Sequence, residues 1–134
     1  MNNLRTVQDI YVAFRRGDIP AILSKLADDV DWEYGAGPTE IPWLQHRSGP
    51  AGAAAFLQSL AAMEVHSFVP KVLTEGDNTV IVALVDVEFT VKATGKYVKE
   101  EDEVHIWRFN REGKVARFRH RVDTLQQAFA CRAD

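Results

Sequence analysis

Residues 79–93, Thr-Val-Ile-Val-Ala-Leu-Val-Asp-Val-Glu-Phe-Thr-Val-Lys-Ala, alternate with period two. Ile81, Ala83, Val85, Val87, Phe89 and Val91 share one face and are all apolar, whereas the opposite face turns polar at Asp86, Glu88 and Thr90. Period two is the repeat of a β-strand, and one wholly apolar face means that one side of its sheet is core. The same repeat continues on either side, through Val65–Thr74, Tyr97–Asn110 and Lys114–Thr124. The separators are short turn signals, Glu75-Gly76-Asp77-Asn78, Thr94-Gly95 and Arg111-Glu112-Gly113. Strands joined so tightly form an antiparallel meander.

The N-terminal half has a different period. Leu4, Val7, Ile10, Tyr11 and Phe14 recur at spacings of three and four, the stripe of an amphipathic helix that Gly17 ends. Asp18 caps a second, short helix with Pro20 in its first turn and Ile22, Leu23 and Leu26 on its buried side. A brief strand, Asp28–Tyr34, and a glycine- and proline-rich loop from Gly35 to Gly52 follow, and then a third helix over Ala53–Met63 with Phe56, Leu57 and Leu60 on one side. Leu125–Ala130 reads as a closing helical turn. Helices first and hairpins after give an α+β class, in one domain covering residues 1–134.

The chain has 134 residues, 46% hydrophobic and 26% charged, enough for one core and a small cavity. Sixteen Lys and Arg against nineteen Asp and Glu leave a net charge of −3, so no global basic field draws it to nucleic acid. The longest apolar run, Val80–Val85, is far below the ~20 residues that span a bilayer. No signal-like apolar stretch opens the sequence, and Cys131 is the only cysteine, which together point to a cytoplasmic protein without disulfides.

The four histidines, His46, His66, His105 and His120, show no metal-ligand spacing, and no phosphate loop or nucleophile elbow is present. Chemistry therefore rests on polar residues set into a sheet face. Strict alternation puts Tyr97, Lys99, Glu101, Glu103, His105, Trp107 and Phe109 on one face of their strand, and Phe118, His120 and Val122 on one face of the next. Trp107 and Phe109 beneath His105 and Glu103 resemble the wall of a cavity apolar below and ionisable above. A His105/His120 pair beside Glu103 is a proton-transfer group near neutral pH; the structural alternative is a hydrogen-bonded, half-buried His105. Arg117, Arg119 and Arg121 line the opposite face and pair across the sheet with acids such as Asp86, Glu88 or Glu100, unless they clamp an anion.

Four segments, Tyr11-Val-Ala-Phe-Arg-Arg-Gly-Asp-Ile19, Leu26-Ala-Asp-Asp-Val-Asp-Trp-Glu33, Arg47-Ser-Gly-Pro-Ala-Gly52 and Trp107-Arg-Phe-Asn-Arg-Glu-Gly-Lys-Val115, come in an order and spacing that resemble the SnoaL-like, ketosteroid-isomerase-related branch of the nuclear transport factor 2-like superfamily. The resemblance implies a cone-shaped fold in which three N-terminal helices pack on a curved antiparallel sheet around a pocket. It also implies a homodimer through the sheet's outer face. The ketosteroid isomerase mechanism does not carry over: its base position holds Tyr34, its helix tyrosine position Ile10 and its protonated aspartate position His105. Epoxide-hydrolase-like members place an Asp-Arg-Asp set near Glu103, His105 and His120, with none of those residue types kept. The polyketide cyclases resemble Val122-Asp-Thr-Leu-Gln-Gln127 and imply an acid/base role for Asp123, which a bulge must turn inward if it does not simply cap the last helical turn.

The expectation is a pocket lined by Phe14, Trp32, Tyr34, Trp43, Phe56 and Trp107, binding a small hydrophobic, oxygenated molecule. Its general acid/base is His105, oriented by Glu103 or His120, in a cofactor-free isomerisation, cyclisation or dehydration. The alternative is a non-catalytic ligand-binding or dimerisation module of the same fold.

Overall fold

A computed structural model describes residues 2–33, 40–77 and 79–133. Helix α1 (Asn3–Arg16) starts where the Asn2 side chain accepts the Arg5 N–H at 3.0 Å, and buries Val7, Ile10, Tyr11 and Ala13. It stops at Gly17, whose φ of 68° is left-handed, so that the Asp18 N–H reaches back to the Ala13 carbonyl at 2.9 Å. Asp18 caps α2 (Ile19–Leu23) by accepting the Ala21 N–H. Leu26, expected on that helix, instead opens strand β1 (Leu26–Trp32).

The two-residue β2 (Arg47–Ser48) leads into α3 (Gly49–Ser59), which a 3-10 turn extends through Leu60–Ala62. This helix begins four residues before the expected Ala53, because Pro50 in a first turn gives up only an N–H that has no helical acceptor. Three strands follow the turn, β3 (Met63–Glu75), β4 (Val80–Val91) and β5 (Lys96–Phe109). After them come β6 (Val115–Arg121) and a helix, α4 (Thr124–Cys131). One expectation is corrected here: only α1 and α2 precede the sheet, since β1 and β2 come before α3, and the closing turn is a full helix.

The six strands run in the order β2-β1-β6-β5-β4-β3, antiparallel except for β1 beside β6. The meander β3 to β6 is as expected, and β4 shows unbroken alternation, Ile81, Ala83, Val85, Val87, Phe89 and Val91 all being buried. The edge strand β3 carries Pro70, which a central strand would not tolerate, and two register shifts. The α+β class and the curved sheet are as expected, and no helix among the described residues is long and apolar enough to cross a membrane.

Two positions break the alternation on which the sequence reading relied. In β5, Val85 pairs with Glu103 and Val87 with Glu100, so Glu101 and Asp102 together face Asp86. Asp102 takes φ 61°, its N–H bonds the Asp86 carboxylate at 3.0 Å, and Lys71 bridges both aspartates. Upstream of this bulge the inward residues are therefore Val98 and Glu100, not Tyr97, Lys99 and Glu101. At the end of β1, Glu33 has φ 51° and is buried directly after the buried Trp32, where alternation would point it outward.

Candidate functional site

The inner faces of β3 to β6, with α1, α3 and Trp32 of β1, enclose a narrow pocket of about 90 Å³. Phe14, Trp32, Trp43, Phe56 and Trp107 are among its lining residues, and Tyr34 lies outside the described residues. Its walls are aromatic contacts: Trp32 stacks on Phe118 at 4.5 Å, Trp107 meets Phe118 at 4.4 Å, and Phe14 meets Phe68 at 4.9 Å between ring centres. The polar groups on this lining are Tyr11, Glu103, His105 and His120, besides the indole N–H groups.

His105 and His120 sit directly opposite each other across β5 and β6, their rings edge to face at 5.7 Å, as the alternation required. Their hydrogen bonds give them different roles. The Trp107 indole N–H donates to the Tyr11 hydroxyl at 3.1 Å, and that hydroxyl donates to His105 Nδ1 at 2.7 Å. His105 must then carry its proton on Nε2, which donates to Glu103 Oε1 at 2.9 Å. The other tautomer would leave the Tyr11 proton without an acceptor. Burial pushes the imidazole down to about 3 and raises the Tyr11 phenol, so both stay neutral. Both nitrogens of His105 are consumed inside the protein, as in the hydrogen-bonded alternative, although the ring is fully rather than half buried.

The chain of bonds continues behind Glu103. Its carboxyl is hydrogen-bonded to that of Glu100, whose Oε1 accepts from Gln127 Nε2 at 2.8 Å and from the Asp123 N–H at 3.2 Å. Gln127 in turn accepts from the Trp43 indole at 2.7 Å. Burial raises Glu100 to about 8, helped by its neighbour's charge, and raises Glu103 to about 7. With both carboxyls held above their ordinary range by burial, the pair retains a proton at neutral pH.

His120 is built differently. Its Nδ1 pairs with the carboxylate of Glu33, which also accepts the His120 backbone N–H at 3.2 Å. Burial pushes this imidazole down as well. No described side chain bonds Nε2, and His120 is among the residues that line the pocket. A second unspent group lies nearby: the Trp32 indole N–H is buried without an acceptor. Unpaired buried donors are rare, and Trp32 is one of the residues that line the pocket.

The remaining candidates lie elsewhere. Asp123 is exposed and caps α4, its side chain accepting the Gln126 N–H at 3.0 Å, so no bulge turns it into the pocket. His46 pairs with Asp31, and His66 bonds Thr90 while stacking on Tyr97. Arg119 and Arg117 pair with Asp31 of β1 rather than with Asp86, Glu88 or Glu100, since β6 lies beside β1. That contact holds the Asp31 carboxyl below its usual range. No group of three or more His, Cys, Asp or Glu positioned for a metal occurs among the described residues.

Four residues of the network, Tyr11, Glu33, Glu100 and Gln127, were not singled out by sequence. Tyr11 was legible only as part of a helix stripe; Glu33 and Glu100 sit where alternation predicts outward side chains.

The family model of the SnoaL-like domain matches residues 7–118. The chain belongs to the SnoaL-like family. This SnoaL-like protein is 27% identical to an NTF2-like protein of unknown function from Burkholderia pseudomallei, each chain covered over 98%, with a TM-score of 0.81. It is 25% identical to TerC, solved in co-crystals with polyporic acid, over 96% of this chain and 97% of that one, with a TM-score of 0.77. An NTF2-like protein from Burkholderia thailandensis superposes at 0.85 with 22% identity over 98% of both chains, a likeness of fold alone. No curated protein matches the chain.

Proposed function

We propose that the protein binds a small, mostly apolar, oxygen-bearing molecule and moves a proton on it with its own side chains, His120 serving as acid/base in place of His105. One observation carries this: the Glu33 carboxylate lies against His120 Nδ1 and no described side chain bonds Nε2, whereas both nitrogens of His105 are bonded within the wall. The anchored carboxylate fixes the tautomer and favours the imidazolium formed when Nε2 takes a proton, opposing the burial. The Trp32 N–H is placed to hold the substrate oxygen, and Glu103 is the group that returns a proton elsewhere on the substrate. One proton removed and one returned is an isomerisation; the same pair serves a cyclisation or a dehydration. The co-crystallised polyporic acid of TerC supports an oxygenated organic ligand for this pocket type.

The cavity, about 90 Å³, is smaller than the ~150 Å³ that takes up benzene. A slender or single-ring substrate therefore suits it, and larger ones require the half-buried Phe14, Leu57, Leu60 and Phe68 to move. The test is a screen for turnover, followed by His120→Gln and His105→Gln. Loss of a positioned acid/base costs ~10²–10⁴ in kcat/KM, so His120→Gln should fall in that range and His105→Gln well short of it. Unchanged turnover in His120→Gln overturns the assignment.

The competing reading is a non-catalytic binding module, favoured by the internal use of Tyr11 and His105. In that case ligand affinity survives His120→Gln and no turnover is found with any bound compound. A homodimer through the outer sheet face is proposed as well. Val80, Val82, Leu84, Val104 and Ile106 are only half-buried there, an apolar patch that a second copy would cover. Sedimentation showing a monomer at micromolar concentration would exclude it.

A further inference from the structure

The Glu100–Glu103 pair has no structural need to be ionisable. Two buried carboxyls cost stability that apolar residues of like size would not, and Gln127 could bond a neutral amide as well as an acid. Their position suggests what the chemistry gains. Glu103 lines the substrate pocket, and both glutamates also line a separate surface hollow on the far side of β5. They are only 7% and 8% exposed, and Glu103 borders both spaces while Glu100 borders the hollow. The hollow is bordered by Lys99, Asp102, Arg121, Asp123 and Gln126, charged or polar groups that hold water. The bulge at Glu101 and Asp102 creates this arrangement, because it brings Glu100 onto the same inner face as Glu103.

We infer that Glu100 is a proton-relay residue, passing protons between solvent in the hollow and Glu103 at the pocket wall; this rests on the proton-transfer reading of the site. Each passage is one proton with no change of oxidation state. Water or a buffer acid in the hollow protonates Glu100 on one carboxyl oxygen, Glu100 gives its proton to Glu103, and Glu103 gives one to the substrate. His105 and Tyr11 extend the bonded chain along the wall and hold Glu103 in register. The groups facing the carboxyl pair are the Arg121 and Lys99 cations, the Asp102 and Asp123 carboxylates at the rim, neutral His105 within and Gln127 of α4. The site thus exchanges protons through its back wall even when a ligand fills its mouth.

The first test needs no substrate. In protein with ¹⁵N-labelled histidine, exchange of the His105 Nε2–H with solvent is measured for the wild type, Glu100→Gln and Glu100→Asp. The amide oxygen keeps the bonds from Gln127 and from the Asp123 N–H but the group has no ionisable proton to pass on, so exchange should slow by about tenfold or more; the aspartate should restore most of the rate. Equal exchange in wild type and Glu100→Gln overturns the relay, as does equal slowing in both variants, which would mean a merely structural effect. If neither variant folds, the wild-type ¹³C-carboxyl titration decides: two coupled steps spanning neutrality support the shared proton, and the absence of any step there refutes it. With a substrate in hand, Glu100→Gln should lower kcat without raising KM, and formate should rescue it through the hollow. Failure of His120→Gln to lose activity would instead count against the proposed acid/base and leave the exchange result standing.

Discussion

Glu100→Gln should change how stability depends on pH, by an amount the structure specifies. Glu100 is raised from 4.5 to about 8 and Glu103 to about 7, so between these limits the folded state holds protons that the unfolded chain has released. Stability therefore falls as pH rises through that window. His105 has the opposite sign: held down to about 3 against 6.5 in the unfolded chain, it makes stability rise with pH from 3 to 6.5, and His120 acts in the same direction. The two sets oppose each other below pH 6.5, which isolates the carboxyl pair between about 6.5 and 8. At 1.36 kcal/mol per unit, Glu100 accounts for about 2 kcal/mol of loss across that interval and Glu103 for under about 1 kcal/mol. The wild type should lose about 2–3 kcal/mol between pH 6.5 and 8 and the glutamine variant less than about 1 kcal/mol, read from urea unfolding at both pH values. Parallel losses in the two proteins would refute the buried shared proton.

Three further outcomes follow from the same bonds. Tyr11→Phe leaves His105 Nδ1 and the Trp107 N–H without partners, a cost of about 2–4 kcal/mol in urea unfolding at roughly 1–3 kcal/mol per stranded group. Gln127→Leu removes the acceptor of the Trp43 indole and one of the two donors to Glu100 Oε1, and should cost roughly 2–4 kcal/mol in the same assay. Trp32→Phe removes an indole N–H that has no acceptor together with part of a buried ring stacked on Phe118, so stability should fall by roughly 1–3 kcal/mol while affinity for an oxygenated ligand, followed by calorimetry, drops about tenfold.

The elements were legible because their signals are local and periodic. The α1 stripe, the Gly17 stop, the Asp18 cap and the apolar face of β4 each follow from a spacing of 3.6 or 2 residues, and each is in place. The His105/His120 pairing was legible for the same reason, since neighbouring hairpin strands with fixed turns have little freedom of register. Asp123 shows the limit: its position before a helix suited either a cap or a catalytic acid, and only the fold shows the side chain bonded to the Gln126 N–H. The start of α3 was missed because Gly49 and Pro50 mark loops by composition and helix starts by geometry.

The sequence by itself determined an α+β chain with a helical front, a meander behind it, an apolar pocket and two histidines facing each other within it. The tertiary structure decided which of those histidines has both ring nitrogens bonded within the wall. Glu33 and Glu100 reach the interior only because the backbone turns left-handed at Glu33 and bulges at Glu101 and Asp102. A single such residue shifts the phase of a strand by one and moves acids from the expected outer face to the inner one. No period in the sequence records that shift, because its cause is the packing of β5 against β4 and of β1 against β6. The first places a carboxyl pair behind His105, and the second gives His120 its anchor.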